Sequence, residues 1–420
     1  VSKSKLKILV VFGTRPEAIK MAPLVTALRR RPDVIDAEVC VTAQHRSMLD
    51  QVLETFQLAP EYDLDVMREA QPLADMTSRI LLGLRDVIRA SAPDWVLVQG
   101  DTTTAFAAAL AAFYEKKLVG HVEAGLRTRR KHSPWPEETN RQLVGTLADM
   151  HFAPTARAKH NLMLEHVDPR AIVVSGNTVV DALLSVAERC RTVDRHTLAA
   201  RFPFIDPSKK LILVTGHRRE SFGDAFREMC HALVDVVAQR PDVQLVYPVH
   251  LNPNVQEPVH AILGTAPPDV RARIHLIAPV EYAPFVYLMD QATFIVTDSG
   301  GVQEEAPSLG KPVLVTRNDT ERPEALDAGT ARIVGTSRVR IVREVLRLLD
   351  DPRVFERMSR AHNPYGDGHA SERIVEALLA RAAESADVVK PTEGVKPGGT
   401  HESRSTERTR VGVSELELQD

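Results

Sequence analysis

The chain has 420 residues, 44% of them apolar and 26% charged, with a formal net charge of −3. That length leaves room for two domains, and the composition is that of an ordinary globular protein. The charge offers no bulk attraction to nucleic acid or to an anionic membrane. Three cysteines, Cys40, Cys190 and Cys230, stand too far apart for a C-x-x-C metal or redox motif. The opening run Val1–Lys7 lacks the apolar core of a signal peptide, and the longest apolar run, Ala105–Tyr114, is ten residues, too short to span a bilayer. A cytoplasmic protein is expected.

Lys7–Phe12 is a nearly continuous apolar run, as in a strand buried on both faces of a parallel sheet. Gly13-Thr-Arg-Pro-Glu17 then opens a helix to about Arg30. Thr14 and Glu17 have capping-box spacing, and Pro16 suits a first turn. Arg15 and Lys20 project near this strand end, where α/β sheets bind ligands; solvated surface cations are the bland alternative. No G-x-G-x-x-G follows the strand, so a dinucleotide fingerprint is absent.

Strand Glu38–Thr42 leads to Gln44, His45 and Arg46 and a helix to about Phe56. Met76–Ser91 is an amphipathic helix, and Trp95–Gln99 a third strand with Asp101 at its tip. Asp101 either caps the alanine-rich helix that follows or serves catalysis. Strand 118–123 ends in Glu123. A basic loop then reaches Pro134-Trp-Pro-Glu-Glu138, and the helix beginning there carries Glu137 and Arg141. Asp101, Glu123 and Glu137 all fall on one predicted edge. Acids gathered in this way raise one another's pKa, which suits proton transfer.

Strands at His151–Pro154 and Ile172–Ser175 close the first half, and a helix from Asn177 runs to about Cys190. Residues 191–210 read as a polar, linker-like interruption. The second half repeats the α/β rhythm, with strands at Leu211–Thr215, Gln244–Pro248, Ile274–Ile277, Phe294–Thr297, Val313–Thr316 and Arg332–Val334. His217 and His250 each follow a strand tip. A final helix spans His369–Glu384, and 387–420 reads as a disordered tail.

The stretch Ile295–Gly310 organises this half. It reads as strand, tight turn and helix, with Ser299, Gly300 and Gly301 opening the helix, where backbone N–H groups and the helix dipole favour an anion. Glu304 and Glu305 fall one turn on, and a carboxylate there makes sense if it holds a sugar or ribose hydroxyl. Arg322, near a further strand end, is a candidate phosphate contact.

Taken in order, Gly13–Glu17, His121–Arg127, Pro134–Glu138, Thr215–Gly223, Asp298–Pro307 and Thr320–Glu324 resemble the motifs of the non-hydrolysing UDP-N-acetylglucosamine 2-epimerases. The resemblance spans roughly 5–385. It implies an α/β fold of two Rossmann-like domains facing a cleft, as in GT-B glycosyltransferases. The expected division is 1–175 completed by a C-terminal helix at 366–386, then 176–365. The implied reaction inverts carbon 2 of UDP-GlcNAc to give UDP-ManNAc, by elimination of UDP and its return to 2-acetamidoglucal.

The implied acid/base and catalytic residues are Asp101, Glu123, Glu137 and His217. Arg15, Ser299, Gly300, Gly301 and Arg322 would hold the diphosphate, Lys20 and Arg141 would organise the carboxylates, Glu305 would hold the ribose, and Phe285 would border the uracil. No cofactor and no metal is implied, and a homodimer is. Gln44, His45, Gln71 and His250 match an allosteric UDP-GlcNAc site, whereas Ser47 and Ala70, and Val280 near the uracil pocket, depart from the family pattern. The alternatives are the same chemistry on another sugar such as UDP-2,3-diacetamido-glucuronic acid, a hydrolysing epimerase, or a GT-B glycosyltransferase.

Overall fold

The computed structural model describes residues 5–42, 46–68, 71–218 and 222–388. Two all-parallel sheets organise it. The first contains β1 (Leu6–Phe12), β2 (Ile35–Val41), β3 (Tyr62–Asp63), β4 (Trp95–Gln99), β5 (Leu118–Val122), β6 (Met150–Ala153) and β7 (Ile172–Val174), in the order β3-β2-β1-β4-β5-β6-β7. The second contains β8 (Lys210–Thr215), β9 (Val243–Pro248), β10 (Ile274–Ile277), β11 (Phe294–Thr297), β12 (Val313–Val315) and β13 (Ala331–Ile333), in the order β10-β9-β8-β11-β12-β13. Helices cover both faces, so the central strands are buried on both sides and read as unbroken apolar runs.

The order of strand addition reverses once in each sheet, between β1 and β4 and between β8 and β11. Crevices at such switch points are where open α/β sheets bind ligands. Gly13–Glu17 and Asp101 flank the first switch point, and His217 and Asp298–Gly301 flank the second. At the first, the strand ends sit so close together that a Cβ on Gly13 would lie 2.0 Å from Thr42 Oγ1 and 2.5 Å from Thr104 Oγ1, so only glycine fits.

Helix Thr178–Arg191 packs on both Arg15–Arg29 and Tyr282–Gln291, and so joins the two sheets. The last helix, Ala370–Val388, returns to pack on Arg15–Arg29 and Thr178–Arg191. The Asp181 carboxylate caps it, accepting from Ala370 N at 3.2 Å and Ser371 N at 2.7 Å. It extends two residues into the segment read from sequence as tail; 389–420 lies outside the described residues. The stretch read as a linker contains helix Arg195–Arg201, whose buried Leu198 joins Phe202 in the main core; two apolar anchors in a polar stretch were too sparse to show a helical period. Among the described residues, no helix is long and apolar enough to cross a membrane.

Candidate active site

A cavity of about 1420 Å³ opens between the carboxyl ends of the two sheets. Lys20, Asp101, Glu123 and Arg141 face it from the first sheet's side, and Arg322 and Glu324 from the other. Arg127, Arg129 and Arg130 add a basic wall from the loop after β5.

Two carboxylates dominate the first side. Glu123 follows β5 in the left-handed region, at φ 62°. For a residue with a side chain this costs about 1–3 kcal/mol and persists only where surrounding contacts enforce it. Those contacts are Lys20 Nζ, 2.5 Å from Glu123 Oε2, and Asn177 Nδ2, which donates to the same oxygen at 2.9 Å. Burial pushes the Glu123 carboxyl up, but Lys20, Arg322 and Asn177 together hold it below the ordinary value. Lys20 is shifted in the complementary sense: burial opposes its charge, and Glu123 and Glu304 more than restore it.

Asp101 follows β4, the neighbour of β5, and pairs with the Arg141 guanidinium. Burial raises the Asp101 carboxyl above its usual range, Glu123 adds to the rise, and Arg141 and Lys20 only partly offset it. Asn140 Nδ2 donates to the Asp101 carbonyl at 3.0 Å and fixes the loop. Arg141 also lies 3.4 Å from Glu138, which is fully buried and accepts from Thr128 N at 3.0 Å and Arg129 N at 2.8 Å. Of the paired glutamates, Glu138 therefore braces the basic loop. Glu137 does not line the cavity; its Oε2 is buried without a hydrogen-bond partner.

On the other side, Asp298 Oδ2 accepts from His217 N at 2.7 Å and Arg218 N at 2.8 Å, holding the two strand ends of the second switch point together. His217 Nδ1 lies 3.6 Å from Asp298 Oδ1, and its ring stacks on His250 with centroids 5.4 Å apart. Partial desolvation holds the imidazole below its ordinary value; Asp298 opposes this, and His250 and Arg218 reinforce it. Gly300 opens the helix Gly300–Glu305. A Cβ built there would lie 3.9 Å from Arg218 Nη2 and 4.0 Å from Arg322 Cζ, so two guanidinium groups flank this turn. Arg218 Nε is buried without a partner. The sequence reading gave Arg218 no role, although it adjoins His217.

Adjacent glutamates point to different sides of a helix. Glu305 Oε1 accepts from Tyr282 OH at 2.8 Å, and burial lifts its carboxyl to about 7. Arg15 acts on both groups electrostatically. Glu304 instead pairs with Arg322 and accepts from Asn177 Nδ2 at 3.0 Å. Burial raises the Glu304 carboxyl even so. Phe285 sits on helix Tyr282–Gln291, partly buried against the core, as does Val280 just before it.

Gln71 accepts from Arg79 Nη1 at 2.9 Å. Gln44, His45 and Ala70 lie outside the described residues. Asn177, Glu304 and Glu138, like Arg218, are site residues that sequence reasoning passed over. An Asn before a helix looks like a cap, and each glutamate had a neighbour that drew the assignment.

A sequence profile described as UDP-N-acetylglucosamine 2-epimerase matches residues 26–379. The UDP-N-acetylglucosamine 2-epimerase of Escherichia coli (strain K12) is 60% identical over 375 residues, 89% of this chain and 98% of that one. The crystal structure of UDP-GlcNAc 2-epimerase from Neisseria meningitidis bound to UDP-GlcNAc is 48% identical, covers 89% of this chain and 100% of its own, and has a TM-score of 0.81. The glycotransferase of kitacinnamycin shares the fold alone, at 16% identity, a TM-score of 0.57, and coverage of 90% and 99%. The two sheets thus form a GT-B-like pair, and the chain belongs to the UDP-N-acetylglucosamine 2-epimerase family.

Proposed function

We propose that this protein interconverts UDP-GlcNAc and UDP-ManNAc by inverting carbon 2 of the sugar. The observation that carries the reading is the pair of partly buried carboxylates, Asp101 and Glu123, each held by its own cation and both facing one large cavity. The carbon 2 proton is not acidic, because no carbonyl is attached to that carbon. Expelling UDP first, or nearly so, solves this. The C1–O bond breaks with its electron pair leaving on the β-phosphate, a base takes the carbon 2 proton, and a C1=C2 double bond forms. Protonation of 2-acetamidoglucal from the opposite face and return of UDP to carbon 1 complete the inversion.

Glu123, held ionised by Lys20, is the base for one epimer; Asp101, whose burial favours the protonated form, is the acid on the other face. In the reverse direction the roles exchange. Glu137, the third acid of the sequence reading, does not line the cavity and takes no step in this scheme. Arg15, Arg218, His217, Arg322 and the Ser299–Gly301 turn receive the departing diphosphate. An arriving diphosphate raises the His217 imidazole, so the cation forms where the negative charge develops. Glu305 takes the ribose hydroxyls, and Phe285 borders the uracil. The chain divides into a first lobe, 1–175 completed by the last helix, and a second lobe, 176–365, with substrate between them.

A homodimer is part of the proposal. Leu82, Phe113, Tyr114 and Leu143 expose 53%, 58%, 62% and 41% of their surface on three helices that pack side by side. Exposed apolar side chains on adjoining helices offer a surface for such an interface. Product analysis tests the reaction: incubation with UDP-GlcNAc is expected to give UDP-ManNAc without accumulation of free sugar. Stoichiometric release of ManNAc and UDP would overturn it in favour of hydrolysis.

A further inference from the structure

We infer that Asn177 is a positioning residue for Glu123: its amide holds that carboxylate and the Glu304 carboxylate on a single donor group and ties the acid/base side of the cleft to the nucleotide side. The inference rests on the role given to Glu123 above.

Asn177 is 2% exposed and sits where the two lobes meet. Its Nδ2 donates to Glu123 Oε2 at 2.9 Å and to Glu304 Oε2 at 3.0 Å, so both amide protons are used, one on each carboxylate. Its Oδ1 accepts from Val179 N at 3.1 Å and caps helix Thr178–Arg191. Its own N–H donates to the Tyr365 carbonyl at 2.6 Å. The chain on either side is equally constrained. Gly176 has φ 89°, and a Cβ there would lie 3.4 Å from both Gly366 Cα and Tyr365 O. The Asn177 backbone therefore cannot drift, and neither can the donor it carries.

A cap needs only the acceptor oxygen, and Ser, Thr or Asp would supply one equally well. Only Asn also presents two donors to two carboxylates at this length. Two buried carboxylates brought together without a donor between them repel, and one takes up a proton. The neutral amide lets Glu123 stay ionised beside Glu304. The other charged and titratable groups acting on Glu123 are Lys20, Arg322, Asp101 and, two residues before it on β5, His121. The line Lys20–Glu123–Asn177–Glu304–Arg322 thus runs from the first sheet's edge to the diphosphate turn. Diphosphate that draws Arg322 away from Glu304 is felt at Glu123 through this amide.

The test uses Asn177→Asp and Asn177→Ser, both of which keep a cap acceptor. Asn177→Asp is isosteric and turns the double donor into a third acceptor. We expect kcat to fall about 10- to 100-fold, KM to stay within about threefold, and the acid limb of the kcat–pH profile to move up by roughly a unit. Asn177→Ser, too short to reach both carboxylates, should lower kcat by about tenfold in protein that stays folded at the assay temperature, because the helix keeps its cap acceptor. A wild-type kcat and acid limb in folded Asn177→Asp would overturn the inference. So would a loss confined to melting temperature and UDP binding in both variants. Glu123→Gln is run alongside. If it keeps full turnover, the reading of Glu123 fails; if it is inactive while Asn177→Asp is normal, only the positioning role fails.

Discussion

Asp101 and Glu123 stand at the ends of adjacent strands, face the same cavity and each have one close cation, yet their carboxyls are displaced in opposite directions. Burial acts on both in the same sense. The difference lies in what surrounds the pair. Glu123 has Lys20 in direct contact, the Asn177 amide on the same oxygen and Arg322 across the cleft, whereas Asp101 has Arg141 in contact, Lys20 at longer range and Glu123 as a like charge. A salt bridge by itself therefore does not fix a buried carboxylate's charge; the number of favourable neighbours beyond the first decides it. The reaction proposed above needs a base on one face of a carbon and an acid on the other, and this asymmetry is what supports giving the base role to Glu123 and the acid role to Asp101.

The comparison can be broken or sharpened by substitution. Glu123→Gln is expected to have the largest effect, lowering kcat by about 10³-fold or more while UDP-GlcNAc affinity changes by less than about threefold, as isothermal titration would show. Equal loss of affinity would make Glu123 a binding group. Asp101→Asn should come next, at about 10²- to 10³-fold in kcat, since the amide can neither give nor take the proton. Lys20→Met removes the contact cation from Glu123 and should make it behave like Asp101. The acid limb of the kcat–pH profile should then move to higher pH, and an unmoved limb would separate Lys20 from Glu123's charge.

The smallest expected effect concerns Glu305. With its carboxyl near 7, it is increasingly protonated below neutrality, so UDP-GlcNAc should bind more weakly at pH 6 than at pH 8. Glu305→Gln should flatten that dependence. A dependence that survives the substitution would place its origin elsewhere.

Much of this was legible in the sequence, because buried parallel strands are apolar runs and their tips carry the polar residues. Strands β4, β10 and β11 fall where the runs predicted, and Asp101, Glu123 and the Ser299–Gly301 turn were found as tip residues on that basis. Two-residue strand β3 is too short to leave a pattern, and helix Arg195–Arg201 hides in a polar stretch. The partners of the acids were harder still. Asn177 lies 54 residues from Glu123 and 127 from Glu304, so nothing local relates them. The choice between Glu304 and Glu305 depends on which face of a six-residue helix meets the other lobe, and spacing does not tell this. The motifs point to the chemistry, whereas which cation neutralises which acid is decided only by the fold.

The most direct test of a base on one face and an acid on the other is proton NMR of UDP-GlcNAc turning over in deuterated water. The account predicts that UDP-ManNAc appears carrying deuterium at carbon 2, because the proton taken by one carboxylate is replaced from the other, which exchanges with solvent. UDP-ManNAc that retains its original hydrogen at carbon 2 would contradict it, since a single group or an internal transfer would then suffice.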